Sequence, residues 1–335
     1  QAEDGIRDTN SGLVGSEMCI RDSYKDYGPE EIRSLSLVQG AYDVDTFLPP
    51  DTIKAIKDLN PGITTFSDEL PYHNMDDACT WGMLINMQKP PYDSKNVRWA
   101  LALSTDLETI VANVVSGEML VSPLPLVDKP AMDPLYDPLV PWLEEFTLDD
   151  GYKPFNPDFG AGLAEKLAAL GAEDIPEDTT AFGTGWWKYD PEQAAKLLEA
   201  EGFTKNADGN WLLPSGEEWV VEYTIPGDWS KVLQRLGFAI ADGWRDTGIQ
   251  VNVRQVDNAE HTAVLETNAL REVQLMWTNC IFAADDWYND WRRIRAEYLL
   301  PGDSQEKNSQ NNMYQWDNQT VFDLVDASPA LERGS

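Results

Sequence analysis

Residues 218–257 read EWVVEYTIPGDWSKVLQRLGFAIADGWRDTGIQVNVRQVD. Trp219, Val221, Tyr223 and Ile225 alternate with other residues, the two-residue period of a strand with one face buried. The period then lengthens. Val232, Leu236, Ile240 and Trp244 make one stripe of an amphipathic helix, and Gly248 lies just past its end. IQVNVRQVD alternates again. A strand, a helix and a second strand in this order describe parallel pairing through a right-handed crossover. A further helix over about 258–270 and the strand EVQLMWT extend the series, so this part of the chain is predicted to be an α/β lobe.

Upstream the same logic applies. In YDPEQAAKLLEAEGF, Asp190 caps a helix, Pro191 takes its first position and Gln193 completes a capping box. Ala194, Leu197 and Leu198 form its buried stripe. DGNWLLPSGEEW carries two turn dipeptides, Asp208-Gly209 and Ser215-Gly216. Its NADGNW run lacks the spacing and distal Glu of a calcium loop and reads as a turn. TWGMLINMQKPPYD predicts an apolar strand closed by Pro90 and Pro91. DSKNVRWALALSTDLETIVANVVSG predicts two helical halves, with Asp106 capping the second. Near the start, a helix after Pro29 has Ile32, Leu35 and Val38 on its apolar face, AYDVDTFLP alternates as a short strand, and a second short helix points Ile53 and Ile56 inward. Residues 121–185 are rich in Pro, Gly and Asp and read as a long irregular connection with one helix, AGLAEKLAALGAED.

The start of the chain is expected to have another origin. Read as codons, QAEDGIRD and LVGSEMCIRD both look like sequencing-library adapter DNA, so residues 1–23 are expected to be adapter-derived and disordered. The natural chain is then expected to begin near Tyr24 as a fragment, and a missing targeting signal carries no information on location. Without this segment 53 acids still face 23 bases, so the acidity of the chain (net −33 overall) is spread along it. Such a charge argues against nucleic acid and anionic membrane as partners and keeps an exported protein soluble. No run approaches the ~18 apolar residues of a membrane span. Cys79 and Cys280 are far apart; the spacing allows a disulfide without arguing for it, and two buried free thiols are the expectation. The two histidines, His73 and His261, are each expected to be ordinary hydrogen-bonded residues rather than metal ligands.

Three passages together resemble the family 5 extracellular solute-binding proteins, the peptide and nickel class of ABC-importer receptors. The first is INMQKPPYDSKNVRWALALSTDLETIV, matching at Asn86, Pro90, Tyr92, Asp93, Val97, Arg98, Ala100, Leu101 and Asp106. The others are YDPEQAAKLLEAEGF with the hairpin after it, and GWRDTGIQVNVRQVD. The likeness runs from about Ile32 to Phe322. It implies a two-lobed, type II periplasmic-binding-protein-like α/β fold with an incomplete first lobe. On that reading residues 24–120 belong to lobe one, 121–185 form the irregular connection, and 186–335 form the second lobe, with a return segment beginning near its C-terminal end. The resemblance further implies a periplasmic or extracellular receptor, expected as a monomer, that hands its solute to an ABC permease in the membrane.

Ligands of open α/β sheets sit beyond the carboxyl ends of the strands. That places the expected site in LMWTNCIFAADDWYNDWRRI, with Trp277, Asn279, Asp285, Asp286, Trp287, Tyr288 and Trp291 as ligand-binding candidates. In peptide-binding relatives an acid after this strand pairs with the ligand's amino group; Asp285 and Asp286 are the nearest, but the usual Asp-Pro pair is missing. Aromatic rings among acids and an Asn suit a sugar, with faces stacked and hydroxyls bonded at the edge. The chain has 13 Trp, which favours a saccharide, although Trp also serves core packing. Trp186-Trp187, in GTGWWKYD, reads as a loop packed onto a lobe, with a cleft wall as the alternative. No cofactor is expected. The rival to a receptor is a secreted glycan-active enzyme using an acidic pair among Asp285, Asp286 and Asp290; the motifs of Ser hydrolases, zinc proteases and phosphate-binding loops are absent from the sequence.

Overall fold

The computed structural model describes residues 30–45, 48, 50–72, 79–128, 132–228, 230–280, 291–308 and 311–331. The chain divides into two compact units, residues 1–64 and 65–335. In the first, α1 (Glu30–Val38) packs with α2 (Pro50–Leu59). Ile53 and Ile56 of α2 are buried as expected, but Ile32 and Leu35 of α1 are more than half exposed. The strand expected at the start of AYDVDTFLP is absent over Ala41–Asp45. Side-chain bonds win there over an extended backbone. The Tyr42 hydroxyl lies within hydrogen-bond distance of both Arg33 O and the Asp45 carboxylate, between which its single proton is shared. That carboxylate also faces Arg33 Nε at 3.7 Å.

The second unit is built on one four-stranded sheet. In chain order its elements are β1 (Cys79–Ile85), α3 (Lys95–Leu103), α4 (Leu107–Val114), α5 (Asp133–Tyr136), α6 (Val140–Glu145), β2 (Phe155–Asn156), α7 (Phe159–Ala169), β3 (Trp186–Trp187), α8 (Pro191–Ala200), β4 (Thr204–Lys205), β5 (Trp211–Leu212), β6 (Val220–Pro226), α9 (Lys231–Asp246), β7 (Gln250–Val256), α10 (Asn258–Glu266) and β8 (Val273–Cys280), followed by a helix over Gln319–Leu331. The sheet order is β1-β8-β6-β7. β6 pairs in parallel with β7 from Val220↔Gln250 to Pro226↔Val256, and with β8 at Tyr223↔Val273. β1 closes the other edge, antiparallel to β8.

The alternation read from the sequence becomes the core. Trp219, Val221, Tyr223 and Ile225 are fully buried, and α9 covers their face with Leu233, Leu236, Ile240 and Trp244. The Trp244 indole N–H donates to Leu101 O and to Thr105 Oγ1, each at 3.0 Å, which ties the end of α9 to the break between α3 and α4. That break falls where Asp106 caps α4, accepting from Thr109 N at 3.0 Å. α10 lies on the opposite face. His261 of α10 bonds Leu275 O, and Gln274 donates back to His261 O at 2.8 Å.

Three features differ from expectation. The sheet takes β1 from the segment assigned to lobe one and β6, β7 and β8 from the segment assigned to lobe two, and the division between units falls at Thr64–Thr65. The capping box of α8 is half made: Asp190 caps through Gln193 N at 2.9 Å, but the Gln193 amide reaches Asp150 while Asp190 N is taken by Leu103 O. Residues 121–185 hold more than one helix. α5 and α6 each begin with Pro in the first turn, a position Pro suits. Phe155–Asn156 pairs with Trp186–Trp187.

Candidate ligand-binding site

The carboxyl end of β8 is where a ligand of a parallel sheet would sit. Trp277 stands there directly opposite Trp81 of β1, so both side chains project from the same face. Both are half-buried. The register shifts between Thr80 and Trp81, leaving Thr278 as the extra residue of β8. The shift is held by side chains: the Thr80 and Thr278 hydroxyls bond at 2.7 Å, and Thr278 Oγ1 donates to Thr80 O at 3.2 Å. Gly82 makes room for Thr278, since a Cβ there would stand 3.0 Å from Thr278 Cγ2.

Cys79 begins β1 and is disulfide-bonded, against the expectation of free thiols; the residue it faces across the ladder is Cys280. The start of β1 is therefore held by the disulfide at Cys79, and its pairing with β8 by the Thr80–Thr278 bonds. Trp81 is a residue of this site that the sequence alone does not single out. Its Nε1 is buried and has no hydrogen-bond partner among the described residues, so it remains an unused donor beside Trp277. The sequence signal is local and incomplete: a Trp near the start of an apolar strand marks packing until the strand's partner is known.

Of the expected site residues, Trp277 lies at this end. Asn279 occupies the strand position opposite Thr80. Asp285, Asp286, Trp287 and Tyr288, like Asp290, lie outside the described residues. Trp291 is half-buried and packs on a separate cluster formed by Leu126, Met132 and Tyr136. That cluster has a polar edge. The Tyr136 hydroxyl meets Ser122 Oγ at 3.2 Å, and Asp128 accepts from Thr184 N and Thr184 Oγ1. Burial pushes the Asp128 carboxyl above its usual range, opposed by the two Thr184 bonds.

Trp187 is the hub of an aromatic cluster. It lies 5.0 Å edge-to-face from Trp99, an arrangement that aromatic pairs favour. It lies 6.2 Å from Phe155. Phe146 stands 6.4 Å away. Among the described residues no group of three His, Cys, Asp or Glu is placed to hold a metal ion, and none of their helices is long and apolar enough to cross a membrane.

Compared with known proteins, the chain matches the family model "Bacterial extracellular solute-binding proteins, family 5 Middle" over residues 23–295. The chain belongs to family 5. Solved structures agree on the fold. A periplasmic oligopeptide-binding protein of an oligopeptide ABC transporter from Thermotoga maritima superposes with a TM-score of 0.64 at 22% identity, covering 92% of this chain and 48% of its own. The mannohexaose-bound structure of that transporter's binding protein gives 0.60 at 21%, covering 91% and 47%. The oligopeptide-binding protein AppA of Bacillus subtilis, in complex with a nonapeptide, gives 0.56 at 16%, covering 89% and 46%. This family 5 chain thus has the type II periplasmic-binding-protein-like fold and spans about half the length of those structures. None of the curated proteins matches it.

Proposed function

We propose that this family 5 chain is the ligand-holding part of an ABC-importer receptor. It captures an oligopeptide or an oligosaccharide between two lobes and presents it unaltered to a membrane permease. The receptor works as a monomer on the periplasmic or extracellular side. The Trp277–Trp81 end of the sheet forms one wall of the site, and Asn279, Asp285, Asp286, Trp287, Tyr288 and Trp291 complete the ligand contacts.

One observation carries this reading. Two opposed Trp side chains stand at the carboxyl end of β8, on a strand pair held there by the Thr80–Thr278 bonds and beside the disulfide at Cys79. A rigid aromatic wall stacks on a sugar face or a peptide side chain at little ordering cost. The acidic chain suits a neutral or cationic solute better than an anion.

The test is a thermal-shift screen of mannohexaose, cello-oligosaccharides and short peptides from the tripeptide to the nonapeptide, followed by calorimetry on the hits. A ligand that binds only the folded state raises the melting temperature with its concentration. Trp277→Ala should weaken the best ligand about tenfold or more, as loss of a buried aromatic anchor does. Chromatography after overnight incubation should return the ligand intact. Cleavage products would replace the receptor reading with the glycan-active enzyme; unchanged affinity in Trp277→Ala would move the site away from β8.

A further inference from the structure

A cavity of about 390 Å³ opens at the other end of the sheet. Its position follows from the topology. α9 runs back from the carboxyl end of β6, so its last turn, at Asp246, lies where β6 and β7 begin. Trp244 in that turn bonds Thr105, next to Asp106 at the cavity wall. Asp106 and Asp246 are also the charges that, after burial, push the Tyr189 phenol upward. Trp277, at the carboxyl end of β8, is at the opposite edge.

The walls combine aromatic and polar residues. Tyr152, Trp187 and Tyr189 are the aromatic residues with a polar edge that line it. Trp187 is clamped by its edge-to-face contacts with Trp99 and Phe155, so its orientation is set before any ligand arrives. Tyr152 is held by its hydroxyl, which donates to Asp190 Oδ2 at 2.7 Å. Glu108, Asn156 and Lys166 also line the cavity. Asn156 Nδ2 donates to Glu108 Oε1 at 3.2 Å, and Lys166 Nζ stands 4.0 Å from Glu108 Oε2. The chain keeps Gly162 beside that carboxylate; a Cβ there would lie 2.7 Å from Glu108 Oε2.

We propose that this cavity is a second binding site, for a single pyranose ring. A pyranose presents C–H faces that stack on Trp187 and Tyr189, and hydroxyls at its rim that both donate and accept. Glu108 accepts, Lys166 donates, and Asn156 does both. The volume lies at the small end of ligand cavities, which run from roughly 300 to 1,000 Å³. Three lining carboxylates against two lysines disfavour an anion. The neighbouring β2–β3 ladder is only two residues long on each strand, so it offers a peptide backbone little edge to extend. The proposal stands apart from the receptor reading, because none of its residues belongs to the β8 site.

The experiment uses the whole chain with its Trp indoles labelled with nitrogen-15. D-mannose, D-glucose and N-acetyl-D-glucosamine are titrated separately into the millimolar range, with triglycine as a control. The Trp187 resonance is assigned with Trp187→Phe. At least one sugar should move that resonance saturably, and the movement should persist in Trp277→Ala. Tyr189 is 47% exposed, so Tyr189→Ala is compatible with folding. That variant should weaken the sugar about tenfold, the effect of losing one stacking ring. Glu108→Gln should weaken it less. The proposal is overturned if no sugar moves Trp187, if the movement disappears in Trp277→Ala, or if triglycine moves it as strongly.

Discussion

Asn86 explains why a single amide matters at the end of β1. It is fully buried, and all of its side chain is used. Nδ2 donates to Asn268 O at 3.1 Å and to Arg271 O at 3.2 Å, while Oδ1 accepts from Gln88 N at 3.1 Å. These bonds hold the loop after α10 against the turn after β1. Arg271 strengthens the same loop from inside: it too is fully buried, and its guanidinium reaches Leu265 O and Asn268 Oδ1. Burial lowers its pKa to about 10, so it stays protonated at neutral pH. Asn86→Ala would leave Arg271 O and Gln88 N without these bonds, while Asn268 O keeps its bond from Arg271 N at 3.3 Å. At ~1–3 kcal/mol for each stranded group, partly relieved by relaxation, the expected loss is about 2 kcal/mol. Urea unfolding should show it as a lower midpoint with an unchanged slope. A loss below about 1 kcal/mol would mean that water takes over the lost bonds.

At the scale of elements, the strand pair β1–β8 joins residues almost two hundred positions apart, and the disulfide at Cys79 sits at its open end. Reducing that bond should release the end of β1, lowering stability by about 2–4 kcal/mol. Melting with and without dithiothreitol measures the effect; an unchanged transition would show that the ladder and the Thr80–Thr278 bond suffice. This pair also marks where sequence reading stops. Elements whose cause is local are legible: the alternation of β6, the stripe of α9, the Asp106 and Asp190 caps, and the β4–β5 hairpin at Asp208-Gly209. Features decided by distant partners are not. Nothing in TWGMLINM names LMWTNC as its neighbour, so the antiparallel edge, the disulfide and the role of Trp81 stay hidden. Gln193 takes Asp150 as its partner rather than closing its own box, and Tyr42 and Asp45 bend a segment whose alternation reads as a strand. At the candidate site the position beyond β8 and Trp277 are legible from strand order. Trp291 reads in the sequence as a ligand residue, yet its described contacts are with the apolar cluster at Met132 and Tyr136.

At the scale of the whole molecule, net charge is the property every residue shares. A charge of −33 on 335 residues must repel itself. The ion pairs that oppose it, such as Lys95–Asp149, Lys153–Glu145 and Arg254–Glu260, have largely exposed side chains. There a pair contributes about 0–1 kcal/mol. Repulsion among the unpaired carboxylates therefore outweighs local attraction in the folded state. It is weaker in the unfolded chain, where the same charges are farther apart. Screening should favour folding: the Debye length falls from about 30 Å at 0.01 M salt to about 8 Å at 0.15 M. The melting temperature is expected to rise by several degrees over that interval and then to level off, because the charge spacing already exceeds the screening length. Sodium and potassium chloride should act alike, since the effect is ionic strength rather than a bound ion, and the same series with sucrose should lack the early steep rise. A melting temperature that falls with salt would mean that the ion pairs form a stabilising network instead, and a rise specific to one cation would point to a bound metal.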